Sequence, residues 1–134
     1  MTQRDIHTNI DSALAIKPDQ YDSGETNSEG AVDLQGYGSA AIRVVVGTVG
    51  TAGVTVKVQE RDSESDDWAD VDDDHLQGSN ARELESDDAE SVVEMGYTGH
   101  KRYIRVLADA STGDAHLAAV VERGHPGVRV SKED

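Results

Sequence analysis

Apolar positions in this chain fall into short runs with a period of two, separated by glycine-containing links. The cleanest run is VTVKVQERD (54–62), where Val54, Val56 and Val58 alternate with Thr55, Lys57 and Gln59. That pattern predicts a strand with one buried face. AAIRVVVGTV (40–49) predicts a second strand, rich in β-branched residues, with Gly47 marking a bulge. The link between them, GTAG (50–53), is short, so the two read as a hairpin.

ESVVEMGY (90–97), RYIRVLAD (102–109) and AHLAAVVERG (115–124) predict further strands, joined at TGHK (98–101) and ASTGD (110–114). AVDL (31–34) is a shorter candidate, followed by the turn QGYGS (35–39). SALAIKP (12–18) reads as one extended segment closed by Pro18, and ARELESDDAE (81–90) as a turn or two of helix without an apolar stripe. Val56, Val58, Trp68, Val71 and Leu76 are expected to cluster, with Trp68 folded back over the valine face of residues 54–58.

Short strands at this spacing describe an all-β protein: an antiparallel β-sandwich, or a small barrel, of about six to eight strands. The expected organisation is a partly extended N-terminal arm (1–30), a β-sandwich domain (31–127) and a C-terminal tail (128–134). A chain of 134 residues suits one such domain, and no repeat or heptad pattern is present.

Charge changes this picture most. There are 27 acidic residues against 12 Lys plus Arg, a net of −15, and phenylalanine is absent. Such acidity points to a surface adapted to concentrated salt, where the screening length falls to ~3 Å and like charges barely repel. It also makes nucleic acid a poor partner, because the dominant phosphate attraction is missing. There is no cysteine, hence no disulfide and no thiolate chemistry. No apolar run reaches the ~20 residues of a membrane helix. The start MTQRDIHTNID lacks the apolar stretch of a signal peptide, so no membrane association and no export address are expected.

Candidate chemistry is sparse. The loop DDWADVDDDHLQG (66–78) offers Asp70, Asp72 and Asp74 as weak metal candidates. A calcium-loop template laid on them demands glycine at His75 and an acid at Ala81, and both tests fail. The five histidines lack metal-ligand spacing, and no G-x-S-x-G elbow or phosphate loop is present. The reading is therefore non-enzymatic, without a cofactor. In GYTGHKRYIRV (96–106), Tyr97, Lys101, Arg102, Tyr103 and Arg105 form a basic-aromatic segment, which reads either as interface anchors, for which tyrosine and arginine are favoured, or as a hairpin whose basic residues balance acids across the sheet.

Three stretches carry a resemblance: VTVKVQERDSESDDWADVDDDHLQG, then GYTGHKRYIRV, then HLAAVVERGHP. Across residues 42–127 their order and spacing resemble a family of small structural proteins of tailed double-stranded DNA viruses. In that family a V-Q-E-S strand leads through an acidic loop to W-x-D-V and L-Q-G. A G-Y-x-G-x-K-R-Y-x-R-V strand and an apolar strand ending G-H-P follow. The loop here carries more acids than the family pattern, which suits a virus of a haloarchaeon. The resemblance implies a capsid decoration, or cement, protein that stabilises the outer shell. Its partner would be the major capsid protein and its location the virion, after assembly in the host cytoplasm. A homo-oligomer, a trimer, is expected, with Tyr97, Lys101, Arg102, Tyr103 and Arg105 as capsid contacts. Other expectations are a head–tail connector or tail protein, or a carbohydrate- or ion-binding module for host-surface attachment.

Overall fold

The computed structural model describes residues 6–22, 24–26, 30–50, 53–78, 81–110 and 113–126. The expected tail at 128–134, and residues 1–5, 23 and 27–29 of the expected arm, lie outside them. The fold is all-β: two antiparallel sheets, of five and six strands, that do not close into a barrel. The barrel alternative is thereby corrected. Among the described residues, no helix is long and apolar enough to cross a membrane.

The strands in chain order are β1 (Ile10–Tyr21), β2 (Glu25–Thr26), β3 (Val32–Asp33), β4 (Tyr37–Val49), β5 (Val54–Arg61), β6 (Ala69–Asp70), β7 (Leu76–Gln77), β8 (Ala81–Leu84), β9 (Val92–Tyr97), β10 (Tyr103–Asp109) and β11 (Ala115–Pro126). One sheet has the order β1-β11-β4-β9-β7. In the other, β10 and β5 pair at the centre. The short β2 and β3 lie along the free side of β10, and β6 and β8 along the free side of β5.

Strict alternation builds the core. Ala40, Ile42, Val44 and Val46 of β4, with Val93 and Met95 of β9 and Leu117, Ala119 and Val121 of β11, point inward from one sheet. Val54, Val56 and Val58 meet them from β5, with Ile104, Val106 and Ala108 from β10. The core is made almost wholly of small aliphatic side chains, and it holds no buried charged residue among those described.

The expected hairpin of 40–49 and 54–62 does not form. Strand β4 lies between β11 and β9, so both of its edges are taken, and the chain crosses at residues 50–53 to place β5 in the opposite sheet. The links β9–β10 and β10–β11 cross in the same way; among consecutive strands only β5 and β6 pair with each other. Glycine makes the crossings compact. The Gly50 N–H donates to the Asp114 carbonyl at 2.8 Å, and Gly53 has φ +79°. A Cβ on Gly53 would lie 2.4 Å from the Leu84 carbonyl oxygen, a distance no side chain tolerates.

Within the expected arm, residues 10–21 form a twelve-residue edge strand on β11, inside the sandwich, and the extended segment expected at 12–18 is part of it. The register slips twice, between Leu14 and Ile16 and between Ile16 and Asp19. The first slip buries Ala15 and Ile16 side by side. The second takes up Pro18, which cannot donate to a ladder and is tolerated at an edge bulge. The bulge expected at Gly47 is present: β4 spends three residues from Val46 to Val49 where β11 spends two from Leu117 to Ala115. The helical reading of 81–90 is replaced by β8 and a single 3-10 turn at Ser86–Asp88, because β8 completes the edge of β5.

Candidate interaction face

The outward positions of β5 and β10 form one surface. Register places Asp33, Tyr103 and Arg61 in one row across β3, β10 and β5, and Arg105, Gln59 and Asp70 in the next across β10, β5 and β6. Trp68 directly precedes β6, and so falls beside Arg61. The guanidinium carbon of Arg61 lies over the Trp68 ring, 4.3 Å from its centroid, and that of Arg105 at 4.7 Å. Tyr103 is shared in the same way, by Arg102 at 4.9 Å and Arg61 at 5.8 Å. Three guanidinium groups and two large rings thus form a continuous cation–π cluster on a sheet face, within the range where such contacts are attractive.

Trp68 is therefore not in the valine core. It is partly buried on the opposite face of β5 from Val54, Val56 and Val58, while Val71 and Leu76 do turn inward. The residue parity of the strand explains this. The pairing of Ala69 with Glu60 sets Trp68 level with Arg61, on the polar side of the pleat.

Polar contacts hold the cluster. Arg102 donates from Nε and Nη2 to the two carboxylate oxygens of Asp33 at 3.0 and 2.9 Å, a bidentate pair. That hydrogen bonding holds the Asp33 carboxyl below its ordinary value and raises Arg102. Arg105 donates from Nε and Nη2 to the single amide oxygen of Gln59, at 2.8 and 2.6 Å. Gln59 in turn donates to Asp70 at 3.0 Å, which fixes its oxygen toward Arg105. Burial lowers the Arg105 pKa, and the nearby Arg61 charge lowers it further, with Glu25 opposing.

Of the five expected contact residues, the structure brings Arg102, Tyr103 and Arg105 together on this face. Lys101 sits at its rim, paired with Asp62 at 3.0 Å. Tyr97 belongs to the other sheet and is buried. Its hydroxyl donates to Glu60 at 2.7 Å and accepts the Lys101 backbone N–H at 3.1 Å. Burial first, and the Glu60 bond second, push its pKa far up. Sequence reasoning missed Arg61 and Trp68 as members of this group. The signal lay in the odd-numbered side of 55–61, read only as a solvent face.

The acidic loop is anchored from below by Val71 and Leu76, and the Val71 N–H donates to the Val58 carbonyl at 3.2 Å. Asp70 is engaged by Gln59, while Asp72 and Asp74 are exposed about the 3-10 turn Asp73–His75. Among the described residues, no group of three or more acidic or histidine side chains is arranged to hold a metal ion.

A separate cleft of about 360 Å³ opens between the β3–β4 turn and the β9–β10 loop, lined by Leu34, Tyr37, Tyr97, His100, Lys101 and Arg102 among others. The turn is closed by the Tyr37 N–H on the Leu34 carbonyl at 3.1 Å. Gly36 supplies the left-handed backbone that this turn position needs, at φ +91°. Comparison with protein-family descriptions, with curated proteins and with solved structures finds no match.

Proposed function

We propose that this chain is a non-enzymatic structural protein of a virion, which decorates and stabilises the outer capsid surface of a tailed virus of a salt-saturated host. The cation–π cluster on the outward side of β5 and β10, with Arg102 exposed, Arg61, Trp68 and Arg105 half-buried and Tyr103 buried beneath the guanidinium groups, carries the reading. In a chain of net −15, it gathers arginine and large aromatic rings, the residue types that supply most interface energy. The W-x-D-V and K-R-Y-x-R-V stretches named in the resemblance supply Trp68, Arg102, Tyr103 and Arg105, whereas Arg61 stands where the family pattern V-Q-E-S has serine. The partner is the major capsid protein, and the decorating unit is a homo-oligomer, a trimer in the simplest arrangement on three-fold lattice positions.

Quantitative mass spectrometry of purified particles tests this. The expected copy number is comparable with that of the major capsid protein, and density for the sandwich should lie outside the shell. A copy number of a single ring would instead assign a connector or tail role. A carbohydrate-binding module is the second reading, favoured by the cleft with its two tyrosines and Arg102. Saturable binding of glycans in molar salt, lost in Tyr37→Ala, would establish it.

A further inference from the structure

We propose that Arg61 and Arg105, gathered on Trp68, form a receptor for a side-chain carboxylate carried by a short acidic segment of the partner protein. This rests on the reading of the β5–β10 face as the contact face, and names the chemistry it recognises.

The starting observation is an imbalance. In a chain with more than two acids for each base, Arg43, Lys57, Lys101, Arg102 and Arg123 each hold a carboxylate. Among the described residues, no carboxylate lies within 4.0 Å of the Arg61 or Arg105 side-chain nitrogens. Nearby acids are drawn elsewhere: Asp70 by Gln59, Asp33 by Arg102 and Asp62 by Lys101. Two partly buried cations therefore share one indole without a counter-ion.

Their donors are under-used as well. A guanidinium carries five N–H donors. Arg105 aims Nε and Nη2 at the same Gln59 oxygen, which leaves its Nη1 edge without a protein acceptor among those described. Arg61 reaches the Asp66 carbonyl only at 3.4 Å, and its buried Nε has no acceptor. Burying charge and donors without partners costs free energy that an incoming acceptor restores.

A carboxylate fits better than a phosphodiester chain. It is planar and matches the guanidinium fork in bidentate geometry. A nucleic acid carries its negative charges along its whole length past the fourteen acids of residues 62–94, whereas a short acidic segment ends within the site. In molar salt the long-range repulsion between two acidic proteins is screened beyond ~3 Å, while a pair formed against the ring faces is screened less.

Trp68 is the chain's only tryptophan, so its fluorescence reads the site directly. The purified protein would be titrated in about 2 M KCl, where screening is nearly complete. The probes are a hexa-aspartate peptide, a hexa-asparagine peptide and a hexameric oligothymidylate. The expected result is a saturable emission change with hexa-aspartate alone. Arg61→Gln and Arg105→Gln should each weaken it about tenfold or more, as loss of a charged hydrogen bond does, while Arg43→Gln leaves it unchanged. Arg105→Lys keeps the charge but not the fork, and should fall between; circular dichroism confirms folding of each variant. An equal response to hexa-asparagine, or one insensitive to both glutamine variants, overturns the proposal. Tighter binding of oligothymidylate assigns the site to phosphate and also overturns it. The titration does not involve particles. A protein abundant in virions but indifferent to hexa-aspartate loses only this inference; one that binds hexa-aspartate but is absent from virions loses only the decoration role.

Discussion

The hydroxyl of Tyr97, on β9, donates to the Glu60 carboxylate, on β5, across 2.7 Å, and so links the two sheets at one end of the sandwich. The same oxygen accepts the backbone N–H of Lys101, which orders the β9–β10 crossing. A buried phenol placed this way serves the fold, not a surface contact.

Tyr97→Phe should therefore destabilise the protein by about 1–3 kcal/mol, the usual cost of leaving a partly buried acceptor and a backbone donor unsatisfied. Urea denaturation in molar salt measures it. A change below a few tenths of a kcal/mol would show that water replaces the hydroxyl without loss.

Strand β1 makes a second contrast. Ile16 is fully buried at 0% exposure, whereas Leu14 beside it is 44% exposed on the outer face. Ile16→Ala should cost about 2–5 kcal/mol, as deletion of buried aliphatic groups does, and Leu14→Ala less than about 0.5 kcal/mol. Deletion of residues 1–20 should leave the sandwich largely unfolded, since it removes an edge strand and two core side chains. Thermal melts of the three variants distinguish a structural strand from a detachable arm.

Trp68 lies outside the core, so Trp68→Ala should leave the protein folded. The expected loss is the two guanidinium contacts and some covered surface, about 1–2 kcal/mol. Val58→Asp, on the opposite face of the same strand, should abolish folding. If Trp68→Ala is insoluble in molar salt, the ring supports the sheet more deeply than its position indicates.

Salt and pH act through the charge. With net −15, self-repulsion opposes compaction in dilute buffer, so the melting temperature should rise steeply between low and molar KCl. A flat response would remove the salt-adapted reading. For Asp33, hydrogen bonding from Arg102 lowers the folded-state pKa below 3.8. Its contribution is present above that unfolded value and is lost as pH falls through the lower folded one. Asp33→Asn should lower stability slightly at neutral pH, where the pair is intact, and the difference from the parent should vanish as pH falls through that window, which flattens the acid limb. Both partners are about two-fifths exposed, which keeps the effect small.

Local alternation was enough to predict strands at 54–62 and 102–109, and that Val54, Val56 and Val58 face inward, because period two is written into the pleat. The all-β class follows from the same alternation and from the glycine links, while the choice of two open sheets over a barrel came from the strand pairing. Acidity and the absence of cysteine are likewise properties of the chain itself.

Strand partners were decided only in three dimensions. The glycine-containing link 50–53 suits a hairpin as well as a crossing. Crossing wins because β11 and β9 occupy both edges of β4, and those partners lie about eighty and fifty residues further along the chain. The arm became a strand because β11 offered it a free edge. The cation–π cluster has the same origin: Arg61, Trp68 and Arg105 come from three separate segments, and only the pairing of Ala69 with Glu60 and of Gln59 with Arg105 sets them on one face. Register is a long-range property, fixed by the packing of whole sheets, and no local window of sequence contains it.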